Sequence, residues 1–260
     1  MFEREKLFLL SLVNAGLLLI LCAGFFQPLL RAQDHSMPEG HEGMNMDAPA
    51  VVDPMASQRT PEKLAADKRE SEFNHHLAGF FLVLAGIFIL AEGSLANRWP
   101  KLRYAWPLCF LLAGLFVLVF SDTELWPFGS QSWLFGLENH PEVRQHKSFA
   151  IILLALGVIE FLRASGRLRA MWAKWVFPVL TIAGSIILLF HDHRGGMHGA
   201  HHMERMARIQ MQHHSYTAAG FGIGVTKGLS EIKTDWQAIF AKMWPSFMIL
   251  LGVLLMFYVE

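Results

Sequence analysis

The sequence predicts an all-α, polytopic transmembrane helix bundle, and three observations predict it. Hydrophobic residues make up 53% of the 260 residues and charged residues only 17%. Seven apolar runs approach the ~20 residues that a spanning helix needs. The lysines and arginines of the short connections also alternate along the chain, which gives the bundle two distinct faces. The expected architecture is six core spans arranged as three repeated helical hairpins, preceded by an N-terminal span or signal peptide.

The apolar runs lie near 7–26, 75–95, 104–121, 146–162, 175–190, 211–225 and 239–258. In the first, Arg4 and Lys6 precede the apolar stretch and Leu30-Arg31-Ala32 follows it. That pattern fits a signal peptide cut after Ala32, and the length of the stretch fits an uncleaved anchor. The domain division expected is therefore 1–32 as signal or anchor, 33–73 as an external His/Met-containing segment, and 74–260 as a six-helix transmembrane domain. Thr60-Pro61-Glu62 reads as a helix start, with Thr as cap and Pro in the first turn. That helix should continue into the second run and carry His75 and His76.

Orientation follows from charge. Arg98, Lys101 and Arg103 follow the second run, Arg163, Arg167, Arg169 and Lys174 the fourth, and Lys227, Lys233 and Lys242 the sixth. These loops are cytoplasmic if the uncleaved N-terminus is too. The membrane implied is a bacterial inner membrane, with the lipid bilayer as first partner.

Three inward-running helices begin Asn74-His75-His76, Gln145-His146-Lys147 and Gln212-His213-His214. Each is followed by a helix opened by an aromatic-Pro pair: Trp106-Pro107, Phe177-Pro178 and Trp244-Pro245. The separations His76 to Pro107, His146 to Pro178 and His214 to Pro245 are 31, 32 and 31 residues, which suggests one hairpin used three times. The prolines are expected in first helical turns, where a missing N–H costs nothing. Gly114, Gly184 and Gly252 are expected to permit close helix contacts, and the small residues of the sixth run to be shielded by neighbouring helices. Trp106, Trp172, Trp175 and Trp244 are expected in one interfacial belt, with Trp126 and Trp133 serving the other face.

All thirteen histidines fall on the face opposite the basic loops, which is the periplasmic face in this orientation. His213 and His214 should lie just below that surface, where an imidazole is costly unless paired or ligated. The repeat would bring His76, His146 and one of His213 or His214 to equivalent depths, with His191 and His193 at the same level. Two expected external loops add thioethers: one holds His35, Met37, His41, Met44 and Met46, and the other runs from His191 through Met197, His198, His201, His202 and Met203. Imidazole accepts either copper state and thioether prefers copper(I), whereas zinc or calcium has little use for methionine. The candidate metal ligands are thus His76, His146, His191, His193, His213, His214, Met197, His198, His201, His202 and Met203.

Other classes find less support. No basic patch with interleaved aromatics points to nucleic acid. No Gly-x-Ser-x-Gly, phosphate-binding glycine loop or His-Glu-x-x-His appears, so no enzymatic activity is expected. Cys22 and Cys109 sit in different runs at opposite depths and should not pair. Glu92 and Glu160 lie near the cytoplasmic ends of their helices, where ion pairing explains them.

The run Ser121-Asp122-Thr123-Glu124-Leu125-Trp126-Pro127, the Gln145-His146-Lys147 helix start, and Phe190-His191-Asp192-His193 ahead of a His/Met-rich stretch resemble bacterial CopD-type copper resistance membrane proteins. The resemblance covers roughly 74–231. It implies a polytopic inner-membrane protein of copper tolerance, uptake or delivery, with a copper role for His76, His146, His191, His193 and His214, and a periplasmic copper carrier as a conceivable partner. This chain is shorter than typical members. An alternative from the residues alone is a haem b oxidoreductase subunit, with histidines on facing helices passing electrons to or from quinone.

Overall fold

A computed structural model describes residues 60–189, 200–232 and 234–259, with the side chains of 61, 64 and 200–206 outside the description. These residues form α1 (Pro61–Leu95), a 3₁₀ turn (Pro100–Tyr104), α2 (Ala105–Phe120), α3 (Trp133–Asn139), α4 (Pro141–Ala164), α5 (Ala173–Leu189), α6 (Ala200–Ser230) and α7 (Gln237–Met256). No strand occurs among them. The chain divides into two compact units between Lys68 and Arg69, inside α1. In the first, the expected cap is present: Lys63 N–H donates to Thr60 Oγ1 at 3.2 Å. The second, residues 69–260, holds the helix bundle.

Three helical stretches, Ala65–Leu95, Pro100–Phe120 and Gln237–Met256, are long and apolar enough to cross a membrane. Helix α5 is apolar but shorter, and α4 and α6 carry more polar side chains. Exposed Ile87, Leu112, Leu115, Ile151 and Val179 give the bundle an apolar exterior, as expected where lipid is the solvent.

Close backbone approach sets the packing. A Cβ on Gly79 would lie 2.5 Å from the carbonyl oxygen of Gly252, and one on Gly252 would lie 2.6 Å from that of Gly79. Helices α1 and α7 therefore touch backbone to backbone. Gly114 and Gly157 do the same for α2 and α4, at 2.9 Å from Leu154 N and Leu111 N respectively. Gly184 makes only ordinary contact, with Phe149 3.5 Å away. The small residues of α6 are shielded as expected: Gly220 meets Ser185, Gly222 meets Phe247, and Gly224 meets Ile182 and the Pro178 carbonyl.

Two expectations need correction. Pro107 sits in the first turn of α2, but Pro178 is the sixth residue of α5 and Pro245 the ninth of α7. Those two prolines each remove an interior helical hydrogen bond. Trp106 and Trp244 are not interfacial belt residues either: they are buried, while Trp172 and Trp175 are exposed. With Phe177 they form a closed triangle of edge-on rings, their centroids 5.4–6.1 Å apart. The residues preceding the three prolines thus meet at one point in the core, with Phe110, Ile223 and Met248 around them. Edge-to-face pairs of this kind contribute about 0.5–1.5 kcal/mol each beyond their buried area.

The histidine-methionine stretch also differs from expectation. Helix α6 begins at Ala200, so 201–203 belong to a helix and not to a loop. After Gly199 the sequence Ala-His-His-Met-Glu-Arg-Met-Ala has no Gly or Pro to stop helix growth.

Gly79→Ala is expected to force α1 and α7 apart and destabilise the protein by about 1–3 kcal/mol. Gly93→Ala in the same helix, where a Cβ meets nothing within 4 Å, should be neutral or stabilising by up to about 1 kcal/mol. Unfolding of the two variants in detergent, followed by circular dichroism, checks the contrast.

Candidate functional site

The histidine-bearing ends of the helices hold two separate polar clusters. The first forms where α2 ends and α4 begins. Asp122 follows the C-cap Ser121, and His146 and Lys147 are consecutive residues of α4, just after its opening Pro141. Each takes one oxygen of the same carboxylate: His146 Nδ1 lies 2.9 Å from Asp122 Oδ1, and Lys147 Nζ lies 2.8 Å from Oδ2. Ser121 Oγ donates to Oδ2 as well. Lys147 is buried, yet all its donors are occupied or covered. It gives hydrogen bonds to the Leu118 carbonyl at 2.8 Å and to Ser121 Oγ, and its ammonium lies 5.2 Å from the centroid of the Trp133 ring.

Burial opposes ionisation of Asp122, but the hydrogen bond and charge of His146, with the hydrogen bonds of Lys147 and Ser121, outweigh it. Together they hold the carboxyl well below the usual carboxylate range. An ionised carboxylate only accepts, so the His146 proton resides on Nδ1. The other nitrogen, Nε2, has no partner among the described residues, and the side chain is 37% exposed.

The second cluster fastens the C-terminus. Gln212 of α6 pairs with the backbone of Val259, donating from Nε2 to its carbonyl at 2.8 Å and accepting its N–H at 3.1 Å. His76 Nε2 donates to the Tyr258 carbonyl at 3.0 Å. His75 stacks on the Tyr258 ring at 3.9 Å and gives its Nδ1–H to the Ser71 carbonyl. Buried His213 stands between Tyr216 and that ring, 5.8 and 6.5 Å away. Three histidines therefore serve to hold one aromatic residue and its backbone.

The expected convergence of His76, His146 and His213 or His214 is not what these residues do. His146 belongs to Asp122, His76 and His213 belong to the C-terminal segment, and His214 is exposed. Among the described residues no three His, Cys, Asp or Glu side chains are grouped to hold a metal ion. His191, His193, Met197 and His198 lie outside the described residues, as do the side chains of His201, His202 and Met203. Asp122, Lys147, Gln212 and Tyr258 carry the geometry but were not among the expected site residues. Tyr258 had a signal: in the alternation expected of the apolar runs, the seventh ends on the histidine face.

At the opposite end, the expected pairing of Glu160 is present. Arg163 reaches both of its oxygens, at 2.7 and 2.9 Å. Arg163 also approaches Glu231 at 3.6 Å, and Lys227 closes on the same Glu231 oxygen while lying 4.9 Å from the Trp244 ring centroid. Helices α4 and α6 are thus joined by a four-residue charge network.

No protein-family model, curated protein or solved structure matches this chain.

Asp122→Asn leaves the buried Lys147 ammonium without its counter-charge, and breaking such a pair costs about 3–5 kcal/mol. A pH dependence follows from the same carboxylate. The unfolded chain takes up a proton near the ordinary value of 3.8, whereas the folded protein resists protonation to lower pH. Wild-type stability should therefore fall as pH drops below about 3.8, and Asp122→Asn should flatten that slope. Thermal unfolding followed from about pH 6 to about pH 3 reads both effects.

Proposed function

We propose that this protein is a copper-binding inner-membrane protein that captures copper at its periplasmic face, for tolerance, uptake or delivery. In this reading the long helices form six spans as three hairpins, the basic loops are cytoplasmic, and the histidine ends face the periplasm. Copper is cargo, not a resident cofactor.

One observation carries the proposal: the carboxylate-oriented imidazole of His146. A metal-ligating histidine almost always gives its second N–H to a carboxylate, carbonyl or water, which fixes the tautomer and raises its basicity. Asp122 supplies that partner for His146, leaving Nε2 at a partly exposed position, where the neutral ring would offer its lone pair. The remaining ligands are proposed to come from His191, His193, Met197, His198, His201, His202 and Met203. In support, the Ile187 carbonyl accepts a hydrogen bond from Gln145, the neighbour of His146, at 3.4 Å. His191 follows Ile187 by four residues. Imidazole and thioether donors on a glycine-spaced stretch suit copper better than zinc, and suit exchange better than storage. His76, whose Nε2 is spent on the Tyr258 carbonyl, and His213, packed against that ring, act structurally in this reading.

Copper binding to the purified full chain is the test. His146→Ala should weaken copper affinity at least tenfold, and changing His191 and His193 together to Ala should do likewise, whereas His76→Ala should leave affinity unchanged. If the His146→Ala protein binds copper as wild type does, the oriented imidazole is not a ligand and the proposal fails. A strong Soret band in protein as isolated would instead favour the haem b alternative.

A further inference from the structure

At the end of the bundle away from the histidines is a cavity of about 520 Å³, within the range of small-molecule sites. Every long helix contributes to its wall: Glu92 from α1, Trp106 from α2, Glu160 and Arg163 from α4, Lys174 from α5, Lys227 and Glu231 from α6, and Trp244 from α7. The connection between α4 and α5 adds Arg169, and the 3₁₀ turn adds Arg103. The copper reading uses none of these residues.

Charge in this cavity is not balanced. Glu160 and Glu231 are taken by Arg163 and Lys227. That leaves Arg103, Arg169 and Lys174 against the single carboxylate of Glu92. None of these three cations makes a salt bridge with a described carboxylate; neutral groups position them instead. Arg103 donates to the Tyr104 hydroxyl at 3.0 Å and lies over its ring. Arg169 gives Nε–H to the Gly166 carbonyl at 2.9 Å, which keeps its outer fork free of that contact. Lys174 reaches the Glu231 carbonyl at 3.4 Å. Gly166 has φ of 73°, a left-handed conformation that favours glycine and that turns the chain out of α4 toward Arg169. The cavity is thus lined by cations held in place by neutral partners, over a floor of two indoles.

We infer that this cavity binds a phosphate group. Two guanidinium forks and an ammonium match the several oxygens of phosphate, and arginine suits this recognition because its donors are planar and always charged. A cation is disfavoured, because two of the three carboxylates are already paired with Arg163 and Lys227. The group has two possible sources, a soluble phosphate compound or the headgroup of an anionic phospholipid. Basic pockets between helices on the cytoplasmic side take such headgroups, and this second source alone rests on the membrane orientation proposed above.

The test uses the full chain in lipid nanodiscs and reads the thermal unfolding midpoint. One arm titrates inorganic phosphate into discs of pure phosphatidylcholine. The other exchanges a quarter of that lipid for phosphatidylglycerol, with no phosphate in the buffer. The variants are Arg169→Gln with Lys174→Gln, and a control, Lys101→Gln with Lys242→Gln, which removes two exposed charges that do not line the cavity. A rise with inorganic phosphate identifies a soluble ligand, and a rise only with phosphatidylglycerol identifies a headgroup. In either arm the control should respond as wild type does. The cavity variant should lose the lipid response, or need at least tenfold more phosphate for half of the rise. Comparing shifts and not absolute midpoints removes both the general stabilising action of phosphate and any basal loss in a variant. No rise in either arm, or equal rises in the two variants, overturns the inference. Neither arm reads copper, so the copper proposal stands or falls separately.

Discussion

Backbone-to-backbone contact at small residues is the constraint on which the bundle depends. Between helices surrounded by lipid the hydrophobic effect offers little, so association rests on close packing and on polar contacts. Gly79 against Gly252 fixes the height of α1 relative to α7, and that height places His76 at the Tyr258 carbonyl. Gly114 and Gly157 do the same for α2 and α4, and the register they set brings Asp122 to His146 and Lys147. Gly220 and Gly224 hold α6 against α5. A Cβ at Gly79, Gly114, Gly157 or Gly252 would come closer than 3.0 Å to facing backbone, so a helix would have to move.

The two ends of the bundle handle buried charge differently. At the histidine end one carboxylate serves two bases, and the lysine it neutralises is almost inaccessible. Removing one partner strands the other, so the cost of disruption far exceeds what the pair adds to stability. At the arginine end the charges form a wider network, Glu160 to Arg163 to Glu231 to Lys227, closed by the Trp244 ring. The aromatic triangle of Trp106, Phe177 and Trp244 lies directly beneath, so this network rests on a rigid floor. Pro178 and Pro245 immediately follow two of those rings. Each leaves a carbonyl without its helical donor, a cost the core bears where those residues are fully packed.

Much of this was legible in the sequence, for identifiable reasons. Helix positions follow from run length and caps, and the close contacts at Gly114 and Gly252 follow from small residues inside apolar runs. The recurrence of an aromatic-Pro pair marked Trp106, Phe177 and Trp244 as equivalent, but periodicity does not say whether a tryptophan near a helix end faces lipid or the axis. Only contact shows that they meet. Helix α3 went unexpected because seven residues between turn signals leave no periodicity to read, although Ser132 does cap it by accepting the Phe135 N–H. The histidines were the hardest case. Histidines at matching positions of three apolar runs are readable, but matching positions do not imply convergence: helices can point their histidines at their neighbours, and here the neighbours include the backbone of Tyr258.

That distinction turns on which nitrogen each imidazole commits and to what. His76 commits Nε2 to a neutral carbonyl, and His75 lies flat against the Tyr258 ring, so both contribute to fastening one segment. His146 instead commits Nδ1 to a carboxylate that stays ionised, and an anionic acceptor enriches the electron density of the opposite nitrogen in a way a carbonyl does not match. Lys147 shares the same carboxylate through its other oxygen, so Asp122 is held from both sides. An oriented and partly exposed imidazole can present Nε2 to a metal cation with its ring already fixed in place. The described histidines of these helix ends therefore play two separable physical roles, fastening of the segment around Tyr258 and presentation of an oriented imidazole, and only the second supports the copper reading.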